Sequence, residues 1–131
     1  MADLQVQRTD FVGIYTQDLE RSIKFYGKTL GLKRNEKAHP EWPEFETGNL
    51  TLLLTSPEKT GTKFSASVGA VALRVPDVAE AMKKLEAEGV EFDFEEVYDS
   101  GVCHMAFFKD PDGNALMLHN RHAPYSDGTK P

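Results

Sequence analysis

Few side chains in this 131-residue chain could do chemistry: four histidines, one cysteine, one tryptophan and some scattered cations and phenols. His39, His104, His119 and His122 can each ligate a metal or pass a proton near neutral pH. Their spacing follows no established ligand pattern, which weighs against a histidine metal site. Cys103 and His104 are sequence neighbours, so on a strand they face opposite ways and cannot form a dyad with each other. Cys103 would act as a nucleophile only with a base from elsewhere. Arg74 offers a fork for a carboxylate or phosphate, or simply a salt bridge at a rim. His119 offers acid–base chemistry, or is an ordinary strand-end imidazole in solvent. Tyr15 could donate to a ligand or be a half-buried structural tyrosine. Trp42 lies in the segment HPEWP and could stack on a planar guest or anchor an irregular loop. Glu41, Glu44 and Glu46 surround it and would favour a cationic guest if they are not simply solvated. No catalytic residue emerges from this set.

The elements that must position these groups occur twice. Residues 11–26, FVGIYTQDLERSIKFY, and 70–85, AVALRVPDVAEAMKKL, share an apolar run, a Xaa-Asp step and an amphipathic helix pattern. The units also close alike, with GNLTLLL at 48–54 and GNALMLH at 113–119. A unit this short cannot bury its apolar face alone, so the halves are expected to pack around a cleft. The pattern predicts strands at 11–16, 32–38, 44–48 and 50–55, and a helix over 19–30 capped by Asp18 and stopped by Gly31. In the second half it predicts a strand at 69–75, a helix after Asp77 with Glu80 completing a capping box, and strands at 90–97, 102–108 and 115–119. The two prolines of 38–44 mark a loop or flap, and Asp110-Pro111-Asp112-Gly113-Asn114 reads as a tight hairpin. The fold class is therefore α+β, two βαβββ modules forming curled mixed sheets around a cleft. One domain of 1–131 is expected, with module one at about 10–55, a linker at 56–68, module two at about 69–119 and a mobile tail at 120–131.

Composition narrows the partners. The net charge is −6 and there is no Lys/Arg cluster, so nucleic acid is not an expected partner. The acidity serves solubility first and attraction of cationic ligands second. A single cysteine excludes an internal disulfide and fits a reducing cytoplasm. The opening MADLQVQRTD has no apolar signal core, and no apolar run approaches membrane-spanning length. A soluble, cytoplasmic protein with no membrane partner is expected.

The doubled β-α-β-β-β order, Asp-Leu-Glu-Arg-Ser-Ile-Lys-Phe-Tyr at 18–26, Leu-Gly-Leu at 30–32 and Asp-Pro-Asp-Gly-Asn at 110–114 together resemble the vicinal oxygen chelate superfamily. That superfamily includes glyoxalase I, methylmalonyl-CoA epimerase, extradiol dioxygenases, fosfomycin-resistance enzymes and bleomycin-binding proteins. The resemblance spans about residues 10–120 and implies sheets curled around a cleft, commonly in a homodimer. Its metal-dependent members carry one ligand on each of four strands, usually His or Gln, Glu, His and Glu. Carried over, those positions fall on Phe11, Leu52 (Leu53 with a shift of one), Ala70 and Met117. All are apolar, whereas the metal needs oxygen or imidazole donors. Asp10 is the only donor that a one-residue slip would recover. The resemblance thus implies the fold without the metal, and neither metal nor cofactor is expected.

Alternation from the same positions puts Phe11, Gly13 and Tyr15 on the cleft face. Leu50, Leu52 and Leu54 join them, as do Ala70, Ala72, Arg74, Ala115, Met117 and His119. The expected ligand-binding cleft is Phe11, Tyr15, Trp42, Leu52, Arg74, Met117 and His119, mostly apolar with a few polar groups. The function expected from it is binding or sequestration of a small apolar or aromatic molecule. The alternatives are a metal-dependent lyase, isomerase or dioxygenase of the same superfamily, and a partner-binding module whose cleft is filled by its own side chains.

Overall fold

Two aspartates start the two main helices in the same way. Asp18 and Asp77 both lie in extended backbone, and each carboxylate accepts the amide N–H three residues on, from Arg21 at 3.1 Å and from Glu80 at 3.0 Å. Each bond satisfies one of the N–H groups that a helix start leaves without a partner. In this computed structural model, which describes residues 2–131, the chain divides into two compact units between Ser65 and Ala66. The fold is α+β, with a four-stranded mixed sheet in each unit.

The first unit has β1 (Phe11–Tyr15), α1 (Leu19–Lys24), β2 (Lys33–Arg34), β3 (Glu44–Glu46), β4 (Thr51–Thr55) and α2 (Pro57–Thr60). Its sheet order is β1-β4-β3-β2, with β4 parallel to β1 and antiparallel to β3. The helix expected over 19–30 changes character after Lys24 and finishes as a π-helical turn, Phe25–Thr29, closed by Leu30 N–H donating to Phe25 O at 2.9 Å. The wider turn sits where Gly27 meets the ring of Phe45. A Cβ at Gly27 would lie 3.2 Å from that ring, so the absent side chain is what admits it. Ile14, Phe25, Tyr26, Phe45, Leu52 and Leu54 form the buried core of this unit. The strand expected at 32–38 is only two residues long, because Asn35 N–H pairs with Glu44 O and the chain then turns into the Trp42 segment. The expected linker contains the short helix α2.

The second unit repeats the plan with β5 (Val71–Arg74), α3 (Val78–Ala87), β6 (Tyr98–Asp99), β7 (Cys103–Lys109) and β8 (Ala115–Arg121), in the order β5-β8-β7-β6. Val78, Met82 and Leu85 of α3 bury against Ala106, Phe108, Leu116 and Leu118, which share the sheet's inner face. Gly89 takes φ +91 just past the helix end, a conformation open to glycine at little cost. The strand expected at 90–97 is not formed. Phe92 makes an isolated bridge to Phe108, Asp93 N–H donates to Phe107 O, and regular pairing resumes only at β6. The tail does not begin at 120: β8 runs through Arg121, and the amides of His122 and Ala123 both donate to Val102 O. The Arg121 guanidinium donates to the carbonyls of Ala123 and Pro124 and lies 4.7 Å from the Tyr125 ring.

The expected hairpin is formed. Asp110 N–H donates to Asn114 O at 2.9 Å, and Asp110 Oδ1 accepts the amides of Asp112 and Asn114. Asn114 Oδ1 in turn accepts Ser67 N–H at 2.9 Å, tying the approach to β5 onto the hairpin. Among the described residues no helix is long and apolar enough to cross a membrane.

Candidate functional site

Strand alternation decides which side chains leave the core. In β1 the exposed positions are Phe11 and Gly13, while Ile14 is buried against the helix. The parallel register pairs Gly13 with Leu53 and Tyr15 with Thr55, so Leu53 and Thr55 share the open face. Leu52 pairs with Val12 and is fully buried. The placement of Leu52 in a cleft is therefore corrected to Leu53. A one-residue shift of a strand exchanges all its faces, and here the correct register is the shifted one. Leu54 is likewise fully buried and is core, not cleft.

On this open face of the first unit lies a cavity of about 500 Å³, lined by Phe11, Gly13, Tyr15, His39, Trp42, Glu44, Leu53, Thr55 and Thr60. The segment bearing Trp42 is held in several ways. Trp42 N–H donates to His39 O at 2.9 Å, and the two rings lie 4.8 Å apart. Leu54 N–H donates to the carbonyl of buried Pro43, joining this segment to β4. Lys59 of α2 donates its ammonium to Glu41 O at 2.8 Å and stands 5.8 Å from the Trp42 ring centroid. The cation over the ring face adds electrostatic attraction to the packing.

Three hydroxyl-bearing residues, Tyr15, Thr55 and Thr60, line the same cavity. Thr60 Oγ1 lies within hydrogen-bond distance, 3.1 Å, of both Pro57 O and the Tyr15 phenol oxygen. Bonds with Thr60 and then Thr62 hold the Tyr15 phenol below its ordinary range. Thr55 is 7% exposed, and its Oγ1 is the one buried side-chain polar atom among the described residues with no hydrogen-bond partner. A buried polar atom without a partner carries a cost of about 1–3 kcal/mol unless something fills the role.

The second unit also has an open face. Ala72 pairs with Met117, Arg74 with His119, Met105 with His119 and Phe107 with Met117, so these six side chains lie on one side of the sheet. Arg74, Met117 and His119 thus lie on one face of this sheet. Next to them a cavity of about 790 Å³ is lined by Phe94, Glu95, Glu96, Val97, Tyr98 and Phe107. Phe94 and Tyr98 are 64% and 58% exposed, an unusual state for two aromatics on one apolar surface. Strand alternation over 90–97 does not disclose this cavity, because the segment forms no regular strand. The partnerless state of Thr55 is likewise visible only in the fold.

Residues 8–118 match the glyoxalase family model, described as the Glyoxalase/Bleomycin resistance protein/Dioxygenase superfamily. The chain belongs to this superfamily. A lactoylglutathione lyase from Escherichia coli O157:H7 is 32% identical over 116 residues, covering 77% of this chain and 83% of that protein. A solved superfamily member from Sphaerobacter thermophilus superposes with TM-score 0.73 at 25% identity, covering 88% of this chain and 98% of the other. TnmS3, an antibiotic-binding protein from Streptomyces sp. CB03234, has the same fold at 23% identity and TM-score 0.73, covering 90% and 98%. The superfamily fold thus hosts proteins named as lyases and a protein named as a binder, so the fold alone does not choose between those activities.

Proposed function

We propose that this superfamily member binds a small apolar or aromatic molecule, and does so without a metal at the superfamily's ligand positions. The observation that carries the reading is the first-unit cavity of about 500 Å³, with Phe11, Trp42 and Leu53 as walls and Tyr15, Thr55 and Thr60 also in its lining. Its volume is that of a site for a small organic ligand. Flat apolar surface would be buried against Phe11 and Trp42, while Tyr15 would orient a polar atom of the guest. At the four positions where metal-dependent members carry ligands, the side chains are Phe11, Leu53, Ala70 and Met117. None offers an imidazole or carboxylate, and a lone thioether is a poor donor for the metals concerned, so this set does not fit the metal. Arg74 and His119, paired across β5 and β8, are the polar groups of the second unit's open face and the candidates for an anionic group on a ligand there.

The reading includes a homodimer, in which the exposed apolar side chains of the open faces are covered by a second copy. It also includes action in a reducing cytoplasm, which the lone Cys103 permits. The test is titration of the protein with a panel of aromatic compounds, followed by Trp42 fluorescence. Saturable quenching at one ligand per chain, abolished in Phe11→Ala, supports it. Turnover of a lactoylglutathione-lyase substrate by nickel- or zinc-loaded protein would replace binding with the enzymatic reading that the 32% identical relative favours.

A further inference from the structure

The end of β6, the start of β7 and the residue just past β8 bring three side chains together. Asp99 on β6 is the direct cross-strand partner of His104 on β7. His104 is the partner of Asn120 on β8, and His122 lies two residues further on, hence on the same face. This face is opposite to the one bearing Cys103, Met105, Met117 and His119. Asp99 places one carboxylate oxygen against each imidazole: Oδ2 is 3.2 Å from His104 Nε2 and Oδ1 is 3.0 Å from His122 Nε2. The rings lie 4.6 Å apart, and the three ligand atoms fall within 4.8 Å of one another.

We infer that Asp99, His104 and His122 form a binding site for a borderline divalent cation of the zinc, cobalt or nickel type. Two imidazole nitrogens and one carboxylate are a donor set that suits these ions and not calcium or magnesium. Metal–ligand bonds of about 2.0–2.2 Å put neighbouring donors of a tetrahedral site roughly 3.3 Å apart, close to the two imidazole–carboxylate separations of 3.2 and 3.0 Å. The widest donor separation, within 4.8 Å, narrows by rotation of exposed side chains as an ion replaces the hydrogen-bonding protons.

The backbone holds the donors in place. Gly101 N–H donates to Asp99 Oδ1 at 2.8 Å, and His122 N–H donates to Val102 O at 2.9 Å. On its open side the cluster borders a cavity of about 540 Å³, also lined by Asp77 and Asn120. Three protein ligands with space beyond them make an exchangeable site with a position for water or a small ligand, unlike a closed four-ligand structural site.

The test uses full-length, tag-free protein at pH 7.5. Cobalt(II) and zinc(II) are titrated in while the ring protons of all four histidines are followed by NMR and stoichiometry by calorimetry. One ion per chain is expected, with cobalt broadening the signals of His104 and His122 and leaving those of His39 and His119 sharp. His104→Gln, His122→Gln and Asp99→Asn should each weaken zinc binding tenfold or more while the circular dichroism spectrum is unchanged. All three positions are substantially exposed, so the fold does not depend on them. Absence of binding up to 1 mM metal would show the cluster to be a surface ion pair only and overturn the inference. So would equal broadening of His39 or His119, or undiminished affinity in the double variant His104→Gln/His122→Gln.

Discussion

The sharpest expectation at the scale of single residues concerns Thr55. Replacing it with Val keeps the shape and removes a buried hydroxyl that has no partner in the protein. Stability should hold or rise slightly in thermal unfolding, because a buried polar group without a bond opposes folding. A stability loss above about 1 kcal/mol would mean that the hydroxyl is already satisfied in the fold. Asp99 makes a second expectation. Its bonds from His122 and then from Gly101 N–H, with the nearby imidazole charges, lower its pKa from the ordinary 3.8 to about 2. A depressed carboxylate contributes stability above the unfolded pKa and loses that contribution as pH falls through the folded one, here between 3.8 and about 2. In His122→Ala the Asp99 carboxyl resonance should titrate closer to 3.8, which carbon-13 NMR reads directly.

Hairpins, caps and packed faces carry their own predictions at the scale of elements. Asp110 is 5% exposed and its oxygens accept the amides of Asp112 and Asn114 and the side-chain amide of Asn114 at 2.8–2.9 Å. Asp110→Ala leaves those donors buried and should destabilise the protein by about 2–3 kcal/mol in chemical denaturation. Phe108→Ala empties a fully buried position between α3 and the sheet, and a loss of about 3–5 kcal/mol is expected. Most elements were legible in the sequence because their signals are local. Asp18 and Asp77 announce helix starts by side-chain chemistry alone, and Asp110-Pro111-Asp112-Gly113-Asn114 specifies its own turn. The strand read at 90–97 failed because alternation in Glu91-Phe92-Asp93-Phe94 shows which residues could line a face, not whether a partner strand lies alongside. The π-helical turn at Phe25–Thr29 was hidden because Gly27 meets Phe45 only once the sheet is in place.

At the scale of the whole molecule, the two units have the same strand order, β1-β4-β3-β2 and β5-β8-β7-β6. Each leaves aromatic surface uncovered: Phe11 is 52% exposed in the first unit and Tyr98 58% in the second. Sedimentation or light scattering should therefore give twice the chain mass. Replacing Phe94 and Tyr98 with Ser should shift the protein towards monomer if their face is the one covered, while unfolding temperature changes little. A monomer for the wild-type chain at micromolar concentration would remove the homodimer from the proposed function.

The repeat, the helix caps, the hairpin and the superfamily are all legible along the chain. The sequence also placed Phe11, Arg74, Met117 and His119 on outward faces, since alternation along a strand needs only one correct anchor. It could not settle which face Leu52 and Leu53 take. Both are leucines in an unbroken apolar run, and only pairing with Val12 and Gly13 distinguishes them. Nor could it join Asp99 to His104 and His122, whose proximity arises from the register of three strands. Linear spacing carries periodicity, but the meeting of distant side chains depends on hydrogen-bonded register, and that exists only once the sheets have formed.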